Sequence, residues 1–502
     1  MSVKPGTFRL RFMPVMLTVG TLATACAQTA PSSPGIPDLV ADPLLTRPPV
    51  LDTGVVLPRD DAPVVCPARV DLSKALTLID AVDTALCGDP QAMAAWANIK
   101  VQASEVGQAR SAYLPTLSGS ISAQRNHTGY PSYPSANTAV SGYSSYVAVN
   151  WRLFDFGERA ANRAAANDML AAALASYDAT LQKTLEATIQ AYFGAVTALA
   201  TYRARKEASK LAGETLAAAL RREAKGATGR SDTLQAQTSF ARAQLAEQRA
   251  AGDLAKAKAT LVYTLALPAQ TPIVLPKDSL PPMKQDVADL SAWLDAARAR
   301  HPAIAAAKAK REAAQQKIIS VRSQGLPTVD FGVSYYQNGY PNQSVQATRS
   351  NTAIVGGTLT IPLFEGFSRT YKVREAQAQA EQSEAQMQDT EREVLGDVVK
   401  AHADAMSALA SLDASAKLLV AAQTALESSR NRYEHGAADI LELLNAQSAL
   451  ADAEQERIRG EAGWRSARLR LMAVSGVLGR QEIRVVDESP AVGNRVLMLQ
   501  PD

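Results

Sequence analysis

A long proline-free stretch with helical periodicity constrains this chain more than any other feature. Apolar residues recur at steps of three and four over Leu170–Leu199, which is the pattern of one packed helix face. No proline occurs between Pro134 and Pro268. A helix that starts after Gly157 therefore meets nothing that would break it before Gly226. At about 1.5 Å per residue it would be roughly 100 Å long. A hydrocarbon core is only about 30 Å thick, so the pattern predicts a long polar rod outside it.

A strand pattern leads directly into this helix. Over Tyr143–Leu153, apolar side chains alternate with small or polar ones, which gives a sheet one apolar face and one polar face. A partner strand is predicted from Thr116, with a polar loop between the two strands. The strands of this hairpin are close to the length that a tilted membrane strand needs, about 9–11 residues. A soluble hairpin that packs on a core is the alternative.

The same plan occurs twice along the chain. Leu326-Pro327-Thr328 repeats Leu114-Pro115-Thr116 at an offset of 212, and Gly436 repeats Gly226 at an offset of 210. Offsets held over whole elements predict an internal duplication. Each repeat is predicted to hold an initial helix, a strand hairpin, a long helix and a return helix. The first repeat is residues 71–288, with 116–154, 157–225 and 232–267 as its last three elements, and the second is 289–480, with 328–363, 367–435 and 440–475.

Four strands cannot close a barrel, and an open sheet edge is not tolerated in lipid. A chain that enters a membrane this way must self-associate. Two copies give eight strands, whose interior side chains fill, whereas three give twelve, enough for a lumen. The predicted fold class is therefore α+β: a long α-helical barrel of coiled-coil hairpins, joined to a transmembrane β-barrel with four strands per protomer and built as a homotrimer. A solid coiled-coil stalk without a channel is the alternative.

The N-terminus has the features of an export signal. Residues 1–25 carry basic residues and then an apolar run that is too short for a transmembrane anchor. Cys26 follows in an imperfect lipobox, so lipidation at Cys26 and ordinary cleavage are both open. Residues 26–70 are a proline-rich linker, and residues 481–502 are a C-terminal tail.

Composition and motifs argue against an enzyme and against nucleic acid as a partner. The formal net charge is +3, and no run of Lys and Arg marks a binding patch. HExxH, GxSxG and a phosphate-binding loop are missing, and the four histidines are scattered, so no metal, cofactor or catalysis is expected. Cys66 and Cys87 most simply form a disulfide in an exported protein, with a reduced, buried pair as the alternative.

The duplicated order of helix, Leu-Pro-Thr, strand hairpin, long helix and glycine-turn hairpin resembles the TolC family of outer-membrane channel-tunnel proteins over about residues 70–480. The segment Ala85–Pro115 is similar to the CyaE-type branch, which serves type I protein secretion. The resemblance implies a passive exit duct in outer-membrane lipid. Its partners would be a periplasmic adaptor (membrane fusion) protein and an inner-membrane ABC or RND transporter. Drug or metal efflux is one alternative, and a coiled-coil lipoprotein or adhesin without a pore is another.

In this family the far ends of the helical hairpins form a closed periplasmic aperture. The resemblance places Asp232, Tyr433, Glu442 and Asn445 there. Three copies of Glu442 would favour cations, unless Glu442 is only a solvated helix charge. Ala438 stands where the family has a latching arginine, so the latch must differ. The hairpin tips are expected to receive the adaptor, unless they are simple glycine-ended loops; the tip residues are Gly226, Gly229, Ser231, Leu234, Gly436, Ile440 and Leu444.

Overall fold

The computed structural model describes most of both predicted repeats. The described residues are 74–226, 228–276, 287–338 and 350–479, together with Leu44 and Ile483. All of them except Leu44 belong to one compact unit, Thr46–Asp502. The export signal, Cys26 and Cys66 lie outside the described residues, so the inferences about them stay predictions.

The two halves of the chain contain the same elements in the same order. The first half holds α1 (Leu78–Gly88), α2 (Pro90–Ser111), β1 (Thr116–Thr128), β2 (Thr138–Phe154), α3 (Glu158–Ala224) and α4 (Arg230–Thr264). The second holds α5 (Leu290–Arg300), α6 (Pro302–Ser323), β3 (Thr328–Asn338), β4 (Ser350–Thr360), α7 (Ser368–Glu434) and α8 (Ile440–Val474). Equivalent helices have equal lengths of 11, 22, 67 and 35 residues. The sequence analysis did not resolve α5, which is the counterpart of α1.

The long helices lie side by side in one layer. Both α2 and α4 pack along α3, whereas α6 and α8 pack along α7 and against α3 as well. The order across the layer is therefore α2 with α4, then α3, then α6 with α8, then α7. The shorter helices follow one another along the rods, as predicted. The outer sides of the first and last rods are open edges of this layer.

The main core lies where α1 covers the middle of α3. Leu181, Leu185, Ile189 and Tyr192 are almost fully buried there, at the helical spacing that the sequence predicted. The Tyr192 hydroxyl donates a hydrogen bond to the Leu76 carbonyl at 3.2 Å. Elsewhere the buried face of α3 consists mainly of alanine, which lets neighbouring rods approach closely; examples are Ala161, Ala172, Ala195, Ala212 and Ala219.

The four strands form one antiparallel sheet in the order β1-β2-β3-β4, so that β1 and β4 are its edges. Directly paired residues point to the same face. One row across all four strands is entirely apolar and consists of Leu117, Val149, Val333 and Val355. A row on the opposite face is polar and aromatic and consists of Ser120, Tyr146, Tyr336 and Thr352. The predicted two-faced sheet is therefore present.

A β-bulge shifts the end of β2. The register changes between Arg152 and Phe154, and Phe154 then pairs with Val329. Because Val329 is paired with Leu359 on the apolar face, Phe154 also lies on that face. The alternation in the sequence predicted Leu153 on the apolar face. Because of the bulge, that prediction is wrong by one residue, and Phe154 lies there.

An arginine locks each junction between a strand and a long helix. Arg159 pairs with Asp155 at 2.5 Å, donates to the Arg152 carbonyl at 2.7 Å and lies over the Tyr113 ring at 4.8 Å. Arg369, its counterpart at offset 210, donates to the Gly325 carbonyl at 2.7 Å. The guanidinium of Arg159 thus connects the start of α3 to the end of β2. The guanidinium of Arg369 connects the start of α7 to the residues just after α6.

Asp178 on α3 gives a testable pH dependence. Burial raises its pKa to about 6, above the value of about 3.9 for an unfolded Asp. The folded state therefore holds this proton more tightly, and the stability it contributes below pH 4 is lost as the pH rises through 6. Asp178→Asn is expected to raise the free energy of unfolding at pH 8 by roughly 2 kcal/mol and to flatten its pH dependence between 4 and 6. Urea unfolding followed by circular dichroism measures this.

The matched control is Glu214→Gln, an exposed carboxylate on the same helix. It should leave the pH profile unchanged. An Asp178→Asn variant whose stability follows the wild type at every pH from 4 to 8 would contradict the assignment.

Candidate functional site

The two helical hairpins of the chain end beside each other. Hairpin 1 is α3 with α4, and hairpin 2 is α7 with α8. Gly226 and Gly436 end the long helices with φ of 69° and 73°, the left-handed conformation that favours glycine. After α7, the Gly436 amide donates to the Tyr433 carbonyl at 3.1 Å and the Ala437 amide to the Arg432 carbonyl at 2.8 Å. This helix-ending motif turns the chain sharply.

A small apolar cluster joins the two hairpins just behind their turns. We call it the tip cluster; its buried members are Ala219, Ala236, Tyr433, Ile440, Leu443 and Leu444. Ala219 and Ala236 belong to hairpin 1, and the other four to hairpin 2. The hairpins are therefore packed on one another at their ends and are not two independent tips.

Hairpin 2 is closed on itself by Glu442. The carboxylate of Glu442 accepts from Arg432 at 2.9 Å and from Ser429 at 3.2 Å. Its backbone amide donates to Asp439, the N-cap of α8, at 2.8 Å. Glu442 is therefore held in an ion pair between α7 and α8, so its charge is largely balanced by Arg432. An exposed pair of this kind contributes about 1 kcal/mol or less to stability.

Arg222 at the end of hairpin 1 reaches hairpin 2. Its guanidinium lies over the Tyr433 ring at 4.4 Å from the ring centre. It also donates to the Tyr433 carbonyl at 3.4 and 3.5 Å and to the Glu434 carbonyl at 3.5 Å. These carbonyls are at the C-terminal end of α7, where a cation is favoured by the helix dipole.

The structure separates the predicted tip residues into two groups. Gly226, Gly229, Ser231 and Gly436 are exposed, and Leu234 keeps 52 % of its surface exposed. Ile440 and Leu444, by contrast, are buried in the tip cluster. Their contact with an adaptor, like that of the exposed tip residues, stays a prediction.

The predicted aperture residues are also split. Tyr433 is buried, and its hydroxyl has no hydrogen-bond partner among the described residues. Asp232 is half-buried, Asn445 is exposed, and Ala438 packs against the tip cluster.

The sequence analysis missed Arg222 and Arg432. The signal that would have found them is a basic residue in the last turn of each long helix, at the offset of 210.

A groove runs from the tips along hairpin 1. It has a volume of about 700 Å³ and is lined by residues of α3, α4 and α8. Leu234, Leu441 and Asn445 line it near the tips, and Glu454 lines its far end. Burial raises the pKa of Glu454, and the charge of Arg205 opposes this shift.

Two further features bear on the predicted chemistry. Among the described residues, no group of three or more His, Cys, Asp or Glu is placed to hold a metal ion. Cys87 is disulfide-bonded, but Cys66 lies outside the described residues, so the pairing of Cys66 with Cys87 stays a prediction.

Comparison with known proteins identifies relatives along most of the chain. Residues 81–266 and 293–477 match the family described as "Outer membrane efflux protein". The protein CyaE of Bordetella pertussis is 37% identical over 420 residues, which is 83% of this chain and 88% of CyaE. The alkaline protease secretion protein AprF of Pseudomonas aeruginosa is 27% identical over 260 residues, 51% of this chain and 54% of AprF. The crystal structure of the outer membrane protein VceC of Vibrio cholerae has the same fold, with a TM-score of 0.69 and 19% identity over 80% of this chain and 96% of VceC.

Proposed function

Because the chain belongs to the outer membrane efflux protein family and is an export component of the outer membrane, we propose that it is the channel-tunnel of a type I protein secretion system. It would give polypeptide cargo a passive exit duct across the periplasm and the outer membrane, and it would not act as an enzyme. The similarity to AprF, whose name describes protease secretion, supports polypeptide cargo over drugs or metals.

The observation that carries this proposal is the unpartnered apolar face of the sheet. Leu117 and Val355 on the two edge strands keep 73% and 66% of their surface exposed. Such a surface is stable in lipid and not in water, and lipid also requires every strand edge to be paired. Pairing β4 of one copy with β1 of the next closes the sheet. We therefore propose a homotrimer with a twelve-stranded barrel, since three copies leave a lumen.

The opposite face of the sheet suits a water-filled lumen. Arg152 and Asp330 form an ion pair there at 3.0 Å. The rings of Tyr146 and Tyr336 lie against each other, with their centres 4.5 Å apart and their planes tilted by 41°. In a closed barrel these side chains would face cargo and water, and the apolar row would face lipid.

The outer edge of the helical layer fits the same assembly. Val399, Met406, Leu418 and Val420 on α7 are exposed large apolar side chains. Among the described helices, α7 alone contains an 18-residue stretch that is apolar and long enough to cross a membrane, and only 22% of that stretch is buried. We interpret it as a surface that a second copy covers, because α7 is one unbroken helix of 67 residues. A trimer would then form a twelve-rod helical tube.

The exposed tip residues are the proposed docking site of the periplasmic adaptor. Gly226, Gly229, Ser231, Leu234 and Gly436 surround the two turns and are accessible in the chain. In this proposal the energy for transport comes from an inner-membrane ABC transporter that the adaptor connects to the duct.

Purified full-length protein tests the proposal directly. In detergent it should have the mass of a trimer, and in planar lipid bilayers it should form conducting channels. A strain without the protein should retain its polypeptide cargo inside the cell. A monomer that stays in solution without detergent and shows no conductance would overturn the proposal.

Asp232 is expected to set the ion preference of this channel. Its carboxylate is half-buried near the tips and makes no ion pair within the described residues, unlike that of Glu442. A narrow constriction focuses the field of such charges. Asp232→Asn should therefore lower the cation-to-anion permeability ratio by roughly two-fold or more, measured as a reversal potential in a salt gradient.

The control for this measurement is Asp253→Asn. Asp253 lies 21 residues further along α4, exposed and paired with Lys256. Equal reversal potentials for Asp232→Asn and the wild type would remove Asp232 from the constriction.

A further inference from the structure

We propose that His301 is a pH-sensitive helix cap, which keeps the joint between α5 and α6 closed at neutral pH and opens it in acid. His301 ends one helix and starts the next. Its backbone amide donates to the Ala297 carbonyl of α5 at 2.9 Å, and its ring nitrogen Nδ1 accepts from the Ala303 amide of α6 at 3.2 Å. The proposal concerns a single subunit and does not depend on the proposed duct.

The cap works only while the imidazole of His301 is neutral. Nδ1 can accept a hydrogen bond only if it carries no proton, so the proton of the neutral ring is on Nε2. A second proton, on Nδ1, would face the amide of Ala303, and two donors cannot bond to each other. It would also place a positive charge at the N-terminus of α6, which the helix dipole disfavours. Protonation therefore removes the cap and destabilises the first turn of α6.

The position of His301 between helices favours the neutral ring. Gly476, just after α8, is so close that a Cβ on it would lie 3.2 Å from the His301 Cα. Burial lowers the pKa of His301, and the carboxylate of Asp397 on α7 opposes this shift. Asp397 is also paired with Lys400 at 3.0 Å. The stability that the cap contributes is therefore fully present above about pH 6.5, and it is lost as the pH falls through the lower pKa of the folded state.

The two helices that meet at the joint carry basic residues. Arg298 and Arg300 belong to α5, and Lys308 belongs to α6. Arg298 lies 3.7 Å from Glu391 of α7. Like charges repel, so the cations on α5 and α6 add to the cost of a positive charge on His301.

The other helices at the joint supply no new counter-charge in acid. Residues 471–476 at the end of α8 are uncharged. Ser320 of α6 bonds Asn162 of α3 at 2.7 Å, and counting back along α6 from this contact places Asp178 about level with the joint. Burial raises the pKa of Asp178 to about 6. Its carboxyl group thus becomes neutral over the range in which His301 would become charged.

His402 on α7 also contacts the α5 region, but acid does not break its bond. Its Nε2 lies 3.3 Å from the carbonyl of Ala288, just before α5. A carbonyl only accepts, so the ring donates, and a protonated ring donates as well. The expected opening therefore begins at the end of α5 that His301 holds.

The first repeat has the same cap with a different side chain. Asp89 stands at the position of His301, at the offset of 212, and its carboxylate accepts from the Gln91 amide at 2.9 Å. A carboxyl group keeps acceptor capacity in both protonation states, whereas an imidazolium has none. The two joints are equivalent in geometry and should differ in their response to acid, so the duplication supplies a reference within the same molecule.

Opening the joint would uncover an apolar cluster on α7. Leu294 of α5 and Ile304 of α6 pack against a cluster whose buried members include Val398 and Ala401. A helix of 11 residues such as α5 is too short to be stable by itself in water. Loss of the cap should therefore let α5 separate from α7, so that acid loosens the second repeat at this level and leaves the first repeat intact.

Hydrogen exchange of the full-length protein in detergent tests the cap at pH 5 and pH 7.5, with rates corrected for the intrinsic effect of pH. In the wild type, amides of residues 290–305 should exchange about five-fold faster at pH 5, which is the factor that a helix cap typically contributes. Amides of residues 78–93 in the first repeat should not change. His301→Asn and His301→Asp keep an acceptor at both pH values and should abolish the response, whereas His301→Ala should exchange fast at both.

The matched control is His435→Asn, which removes a histidine at the end of α7 and should keep the acid response of residues 290–305. Equal exchange of these residues at the two pH values in the wild type would overturn the cap, and so would a response that persists in His301→Asn. If His301→Ala does not fold, the asparagine and aspartate variants decide. Bilayer conductance of the same preparation tests the duct separately. A protein without channels that shows the acid response would keep the cap and refute the duct, and a conducting protein without the response would do the reverse.

Discussion

Replacing Val333 with arginine is expected to prevent the sheet from entering a membrane. Val333 lies in the middle of β3 and pairs with Val149 and Val355 in the continuous apolar row. An arginine on the lipid face of a barrel near its midplane costs about 2–4 kcal/mol, and a trimer contains three of them. The fraction of protein that inserts into liposomes as a heat-sensitive oligomer should fall at least ten-fold.

The neighbouring position provides the matched control. Ser334 is paired with Ala148 and points to the opposite face at nearly the same depth. Ser334→Arg should insert as the wild type does, and it should change only the conduction properties of the lumen. If both variants failed to insert to the same extent, or if Val333→Arg inserted normally, this face of the sheet would not be the lipid face.

Replacing Arg159 with methionine is the second change with a large expected effect. Arg159 and Asp155 keep only 11% and 8% of their side-chain surface exposed. Without the guanidinium, the carboxylate of Asp155 stays buried and loses its counter-charge. Breaking a buried pair in this way costs about 3–5 kcal/mol. Arg159→Met should therefore lower the denaturant midpoint of the full-length protein and the temperature at which its oligomer dissociates.

The second half of the chain supplies an internal comparison. Arg369 occupies the equivalent junction, but it binds the carbonyls of Gly325 and Arg322 and pairs with no carboxylate in the described part of the chain. Arg369→Met should cost less, about 1–3 kcal/mol, because only hydrogen bonds to a charged group are lost. Equal losses in the two variants would show that the ion pair with Asp155 is not what stabilises the first junction.

These junctions contain backbone strain that a sequence pattern cannot reveal. Phe156 and Phe367 lie just before the first residues of the two long helices and have φ of 49° and 63°, values that are uncommon for a residue with a side chain. Both rings are exposed. The local sequence shows only an aromatic residue beside a glycine in each half.

At the hairpin tips, too, the sequence predicted some features and not others. The two glycine turns and the polar helices that lead to them were predicted from the repeat offset, and both turns are present. The burial of Ile440 and Leu444 was not predicted, because it depends on hairpin 1 packing against hairpin 2. Nor was the partner of Arg222, since Arg222 and Tyr433 are 211 positions apart.

The sequence by itself determined the strands, the long helices and the return helices of this protein, and their order. Period-two and helical patterns are properties of a single segment. The two-faced strands, the long helices and their repetition can therefore be predicted without knowledge of any tertiary contact. Only the tertiary structure decided which neighbour each charged or aromatic side chain meets. The one-residue shift at the bulge of β2 places Phe154 on the apolar face, and such placements depend on packing between distant segments.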